Sequence, residues 1–274
     1  MTNNLFVSLA ELTASIADGA KLAIPKDSSG VAMQASRELV RRGVRDLHLV
    51  CVPTGGIMAD ILIGSGAVRT LETSAITLGE FGGGPRFAAA LRSGNLEMRD
   101  ATCPAVYAAL QAGEKGIPFI PLRGLIGSDV MKHRKDWKVI DNPYAANDPI
   151  AVLPAICPDV SLFHTPLADR FGNVFVGRER DLITMAHASA RTLVTVEKTT
   201  DENLLDDDSR AGAVLPAIYV SAIAIAEHGA RPLALGDHYA DDETMLANYA
   251  TLARTEGGFA QFIAEWLSEA AVTA

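Results

Sequence analysis

The chain has 274 residues, 49% of them apolar, and its 33 acidic against 24 basic side chains give a net charge of −9. That apolar share suffices for one large α/β domain or two small ones. The acidic balance, with basic clusters no longer than Arg41-Arg42 and Lys132-His133-Arg134-Lys135, excludes a phosphate-tracking nucleic-acid surface.

The start, Met-Thr-Asn-Asn, has neither a charged n-region nor a long apolar run, so no signal peptide is expected. Ser8-Leu9-Ala10-Glu11 is a capping box, and Leu9, Leu12 and Ile16 share one helical face before Gly19. A buried strand is predicted over 21–24, a helix over 31–42 closed by Gly43, and a strand over 46–52. The alternation continues with a helix from about 57, a strand over 68–76, a helix over 86–91 and a strand over 96–99. A helix over 105–111 and a strand over 117–120 complete the first half. The cluster at 132–135 reads as a solvated loop. In the second half strands are predicted over 150–153, 160–164, 174–176 and 192–196, with a helix over 180–188. Two amphipathic helices, 243–254 and 259–270, close the chain.

Strands alternating with helices imply right-handed crossovers. The expected fold class is therefore α/β: an open, mostly parallel sheet flanked by helices, with extra strands in the second half. No Pro/Gly/Ser-rich linker divides the chain, so one domain over 1–274 is expected. The most apolar segment, 211–226, contains Pro216 and is too short to span a bilayer. Cys51, Cys103 and Cys157 are isolated, without CxxC spacing or a His cluster, which fits reduced thiols rather than a disulfide frame or a zinc site. The expected location is the cytoplasm.

Thr54-Gly55-Gly56, after a strand and before a helix, suits both an anion-binding loop and an ordinary turn. Gly82-Gly83-Gly84 suggests backbone that something approaches closely, or a flexible loop. His164 ends an apolar strand and reads first as a hydrogen-bonded structural residue; Asp169-Arg170 with Gly172-Asn173 reads as a tight turn. Asp206-Asp207-Asp208 reads as a solvated face. No Ser-His-Asp or Cys-His set can be assigned from spacing.

Two blocks carry more information. Gly116-Ile-Pro-Phe-Ile-Pro-Leu-Arg-Gly-Leu-Ile-Gly-Ser-Asp129 is an apolar strand, cut by two prolines, that opens into a glycine-rich polar loop. Such strand ends are where open α/β sheets hold ligands. His164-Thr-Pro-Leu-Ala-Asp169-Arg-Phe-Gly172-Asn173 follows some 40 residues later. The first resembles the GIPF-x-P-x-RG-x-x-GSD signature of class I CoA-transferase alpha subunits, glutaconate CoA-transferase type. The second resembles that family's HA-x-x-AD-x-x-GN segment, and Thr195-Val196-Glu197 resembles another of its strands.

The resemblance implies an alpha subunit that works with a separate beta subunit, in a heterotetramer of two alpha and two beta chains. It implies coenzyme A as substrate, with no other cofactor, no metal, no nucleic acid and no membrane. In such enzymes a beta-subunit glutamate attacks an acyl-CoA thioester. An acyl-glutamyl anhydride and then an enzyme–CoA thioester form, and CoA passes to a small carboxylic acid. The alpha subunit would shape the cleft and supply oxyanion donors, each worth about 2.7–4 kcal/mol. Family members usually carry a GGFG loop where this chain has Lys26, Ser28, Ser29 and Gly30, which become candidates for substrate or CoA binding. Glu80, Gly82 and Gly83, in a segment resembling the family's GEN motif, and Arg123, Gly124 and Ser128 are the others. Counting back from Gly116-Ile-Pro118 sets Cys103 where 3-oxoacid CoA-transferases share an oxyanion-binding glutamine and steroid-ring-opening hydrolases a glutamate. Cys103 is thus the catalytic candidate, with an inert buried thiol as its alternative. The loops 24–30, 79–85, 101–104 and 123–128 are expected to line one cleft. Two other functions stay open: an acyl-CoA hydrolase or C–C bond-cleaving relative, and a non-catalytic ligand-sensing role.

Overall fold

The computed structural model describes residues 5–268; the start at 1–4 and the last two residues of the helix predicted over 259–270 lie outside them. Strands β1 (Lys21–Pro25), β2 (Leu47–Val52), β3 (Val68–Thr73) and β4 (Glu97–Asp100) alternate with helices α1 (Leu9–Ala14), α2 (Met33–Arg42), α3 (Ile57–Gly64), α4 (Pro85–Ser93) and α5 (Cys103–Glu114). The capping box forms: Ser8 Oγ accepts from the Glu11 N–H, and the Glu11 carboxylate takes the Ser8 N–H.

The chain then leaves this sheet. β5 (Phe119–Leu122), α6 (Asp129–His133), β6 (Lys138–Asp141) and β7 (Pro149–Pro154) build a separate antiparallel sheet in the order β5-β7-β6. The strands predicted over 117–120 and 150–153 thus exist but do not belong to the parallel sheet. Pro121 lacks the N–H a central ladder needs, and a short edge strand tolerates that. Ala101, Ala105 and Val106 pack against Leu125, Trp137, Ala151 and Leu153 from this smaller layer.

The second half returns with β8 (Val160–Asp169), β9 (Val174–Phe175), α7 (Arg180–Ala188), β10 (Arg191–Thr200), α8 (Asp208–Ala211), β11 (Val214–Leu215) and β12 (Ala222–Ile225). α9 (Glu243–Leu252) and α10 (Glu256–Ser268) follow. In the main sheet β12, β10, β8, β1, β2, β3 and β4 lie side by side, every pair parallel. β9 and β11 extend β8 in antiparallel fashion. β1 buries four of its five residues, as a parallel strand with layers on both faces must. Leu22, Ile24 and Leu49 face the α2, α3, α9 and α10 layer; Ala23, Val50 and Phe163 face α5 and α7.

The basic cluster at 132–135 is corrected at one position. Lys132, His133 and Lys135 are exposed, but Arg134 is buried. Its guanidinium donates to Glu72 Oε1 at 2.8 Å and to the Asp100 carbonyl at 3.2 Å, and lies 4.3 Å from the Trp137 ring centroid. A buried carboxylate on β3 needs counter-charge; Lys21 and His48 of the main sheet supply part of it and Arg134 of the smaller layer is its nearest partner. Among the described residues no helix is long and apolar enough to cross a membrane.

Candidate active site

Sheet order reverses beside β1, with β2, β3 and β4 on one side and β8, β10 and β12 on the other. Ligands of open α/β sheets bind beyond the carboxyl ends of the strands at such a switch point. Here the loops after β1, β2 and β3 meet the segment after β12 around a cleft of about 660 Å³. Lys26, Asp27, Ser28, Gly55 and Glu80 contribute to its wall. A second cavity of about 320 Å³ adjoins it at Ser28 and Gly236, and is walled by Gly30, His164 and Glu179.

The 26–30 loop is pinned from several sides. The Lys26 ammonium lies 3.6 Å from Asp181, which also accepts from the Tyr107 hydroxyl at 2.6 Å. Ser28 is exposed toward both cavities, whereas Ser29 is buried and donates to Glu179. Gly30 has φ +78°, and a Cβ there would come within 2.1 Å of the His164 carbonyl oxygen, so only glycine fits. The Gly30 carbonyl in turn accepts the His164 N–H at 2.7 Å.

Asp27 is a residue that the sequence does not single out. Its Oδ2 accepts from the Ile57 N–H at 2.9 Å, at the start of α3, while Oδ1 is buried with no hydrogen-bond partner. Burial pushes the carboxyl up to about 7; the Ile57 bond opposes this, and the charges of Asp241 and Asp60 add to it. The signals that point to it are its place in the loop that departs from GGFG and the glycine pair 55–56 facing it. A Cβ on Gly56 would fall 1.9 Å from Asp27 Oδ2.

Glu80 is exposed on a short turn, Gly79–Phe81, and lines the cleft. The close approach expected at the glycine run occurs at Gly84, where a Cβ would meet Asp60 Oδ1 at 2.4 Å. Gly82 has open space in that direction and Gly83 meets only the Ile76 carbonyl at 4.0 Å.

Cys103 is exposed, not packed in the core, at the first turn of α5. Its Sγ lies 3.1 Å from Ser74 Oγ, and that hydroxyl donates to the Pro53 carbonyl at 2.8 Å. The thiol therefore stands beside the loops after β2 and β3, outside the residues that wall the 660 Å³ cleft.

Arg123, Gly124 and Ser128 are not brought to the cleft. Arg123 forms a two-pronged pair with Asp148 on the exposed side of the smaller layer. Arg123 and Asn142 hold the Asp148 carboxyl at about 2. Ser128 Oγ donates to the Leu125 carbonyl at 2.6 Å. The 101–104 and 123–128 loops are nonetheless neighbours, since Leu125 packs with Ala101 and Ala105.

His164 is fully buried and structural. Its Nε2 meets Glu197 Oε1 at 2.7 Å and its Nδ1 meets Thr195 Oγ1 at 2.9 Å. Glu197 also accepts from the His228 and Gly229 N–H groups and from the Tyr239 hydroxyl. Burial opposes its ionisation, but the His164 and Tyr239 bonds win and hold it at about 2. Burial lowers the His164 pKa, so the ring is neutral; an ionised Glu197 assigns the ring proton to Nε2. Asp169 closes its turn by accepting from Phe171, Asn173 and Leu204 backbone N–H groups. These motif residues fasten the β8, β10 and β12 ends to one another.

The sequence pattern of the coenzyme A transferase family matches residues 6–226. The A-type subunit of the 3-oxoadipate CoA-transferase of Pseudomonas knackmussii is 30% identical over 263 residues, 91% of this chain and 88% of that protein. The crystal structure of glutaconate coenzyme A-transferase from Acidaminococcus fermentans superposes with a TM-score of 0.88 at 25% identity, covering 97% of this chain and 90% of that one. The decarboxylase AibA/AibB superposes with a TM-score of 0.84 at 30% identity, covering 96% and 98%.

Proposed function

This chain belongs to the coenzyme A transferase family as an A-type subunit of a heteromeric enzyme, and we propose that it turns over acyl-CoA only when a B-type subunit brings the nucleophilic glutamate. The observation that carries this reading is the cleft at the carboxyl ends of β1, β2 and β3, placed at the switch point of the sheet. The whole chain acts as one domain, in a cytoplasmic heterotetramer of two A-type and two B-type chains. Coenzyme A is a substrate and no other cofactor takes part.

The partner's carboxylate attacks the thioester carbonyl, and the CoA thiolate leaves the collapsed tetrahedral adduct. The thiolate then attacks the glutamyl side of the anhydride and releases the first acid. The acceptor carboxylate attacks the enzyme–CoA thioester and expels the thiolate, forming a second glutamyl anhydride; the thiolate then attacks its acceptor acyl carbon and the glutamate carboxylate leaves. Lys26, Ser28 and Glu80 line the cleft where the acyl group is held, Ser29 and Gly30 wall the adjoining cavity, and Gly82 and Gly83 shape the backbone next to Glu80. Cys103, beside the cleft, gives its S–H to Ser74 Oγ at 3.1 Å, and serves the oxyanion by turning that proton from Ser74 to the substrate. Arg123, Gly124 and Ser128 serve at a distance from that wall, toward the partner.

Cleavage of a C–C bond in an acyl-CoA is the second reading, favoured by the likeness to the decarboxylase AibA/AibB. Co-purified complex supplied with an acyl-CoA and a labelled acid separates the two. Label appearing in acyl-CoA supports transfer; acceptor-independent loss of acyl-CoA supports cleavage.

A further inference from the structure

Helix α3 starts at the carboxyl end of β2, where a strand-to-helix turn presents backbone N–H groups to an anion. In this chain the Ile57 N–H is already taken by the chain's own Asp27, at 2.9 Å. The carboxyl lies directly over Gly56, where no side chain fits. Its Oδ1 has no hydrogen-bond partner, so the group is held there against its own hydration.

The rest of the cleft is charged in the same sense. Among the described residues, its ionisable wall consists of Lys26 against Asp27, Glu80, Asp241 and Glu243. Lys26 is itself drawn to Asp181, at 3.6 Å. A second carboxylate on a bound acyl chain would shed water and meet four carboxyl groups without a free cation of the wall to answer it. An uncharged chain end meets neither cost. The crowding already acts on Asp27, whose carboxyl is pushed up by burial and by the charges of Asp241 and Asp60.

We propose that this cleft takes the acyl chain of a monocarboxylic acid, and that Asp27 is the residue that excludes a dicarboxylic one. This narrows the substrate class and rests on the CoA-transferase reading. It also separates the chain from relatives named for 3-oxoadipate and glutaconate, both dicarboxylates.

The test uses the complex with its B-type partner, acetyl-CoA and propionyl-CoA as donors, and acceptors matched in length: butyrate against succinate, hexanoate against adipate. The expected kcat/KM ratio favours each monoacid by about tenfold or more, a difference of about 1.4 kcal/mol. Asp27→Asn keeps an oxygen for the Ile57 N–H but removes the charge, and should reduce that ratio several-fold in assays at about pH 8, where the parent carboxyl is ionised. Should it fold poorly, Glu80→Gln on the exposed turn should shift the ratio in the same direction. Diacids used as well as monoacids, with exchange intact, would overturn this assignment and leave the transferase reading standing. Loss of acyl-CoA without any exchange would overturn the transferase reading. The charge preference is then read directly on butyryl-CoA against succinyl-CoA, and equal use of the two overturns it as well.

Discussion

Asp27 and Glu197 are both half-sunk carboxyl groups that accept backbone N–H bonds, yet they titrate in opposite directions. Asp27 receives one bond and two repulsive neighbours, so burial wins and its carboxyl sits at about 7. Glu197 receives bonds from His164, Tyr239, His228 and Gly229, and they outweigh burial. For Asp27 the folded pKa lies above the unfolded value of about 3.9, so the native state holds the proton more tightly. Its contribution to stability therefore declines as pH rises from about 4 through 7, and is flat above. Asp27→Asn should lack that decline, and thermal melts of both proteins between pH 5 and 8 should show the variant gaining on the parent as pH rises. A parent that gains on the variant would contradict the assignment. Glu197 has the opposite sign: its stabilisation is present above about 4.3 and is lost as pH falls toward 2. Glu197→Gln should cost about 1–3 kcal/mol at neutral pH in urea unfolding, and progressively less below pH 4. Cys103, being exposed, should alkylate far faster than the buried Cys51 in the free chain. Cys103→Ala should change stability by less than about 0.5 kcal/mol, as surface substitutions do. A slow Cys103 would return it to the inert-thiol reading.

At the scale of elements, the smaller layer is joined to the main sheet by a buried charge as well as by apolar packing. Glu72 on β3 is buried, yet His48, Arg134 and Lys21 hold its carboxyl below the usual range. Arg134→Met should leave that carboxylate without its closest partner and cost about 3–5 kcal/mol in denaturant unfolding. Adding Glu72→Gln should recover part of the loss, and strict additivity would show that the two side chains act independently. This layer is the least legible part of the sequence. Every residue of β6 is exposed, so it carries no alternation of apolar and polar positions to read. The proline-cut apolar run at 118–121 announces a strand but not which sheet accepts it. β12 hides inside the apolar stretch 211–226, whose composition is informative only about membranes. The capping box, α2, α4 and α7 are legible because each has a clear apolar stripe or a defined start, and α3 because a nearly unbroken apolar run follows the glycine pair 55–56.

For the whole molecule, the βα alternation is enough to imply a parallel sheet with its functional edge at the carboxyl ends, and the order around β1 makes that edge a switch point. Two of the four loops expected at one cleft, 24–30 and 79–85, do meet there. The 101–104 loop stands beside them through Ser74, and 123–128 is carried off because the chain leaves the main sheet after α5. Asp27 escapes notice in the sequence since its partner, the Ile57 N–H, lies 30 residues away and meets it only across the β1 and β2 ends. The cleft of this chain is one part of a two-part active site in the reading proposed above. The measurement that tests this most directly is CoA exchange between an acyl-CoA and a labelled acid, run on the purified chain and on its complex with the B-type partner. The expected result is no exchange by the chain alone, and exchange by the complex through a hydroxylamine-sensitive thioester on the partner. Turnover by the single chain at the rate of the complex would contradict it.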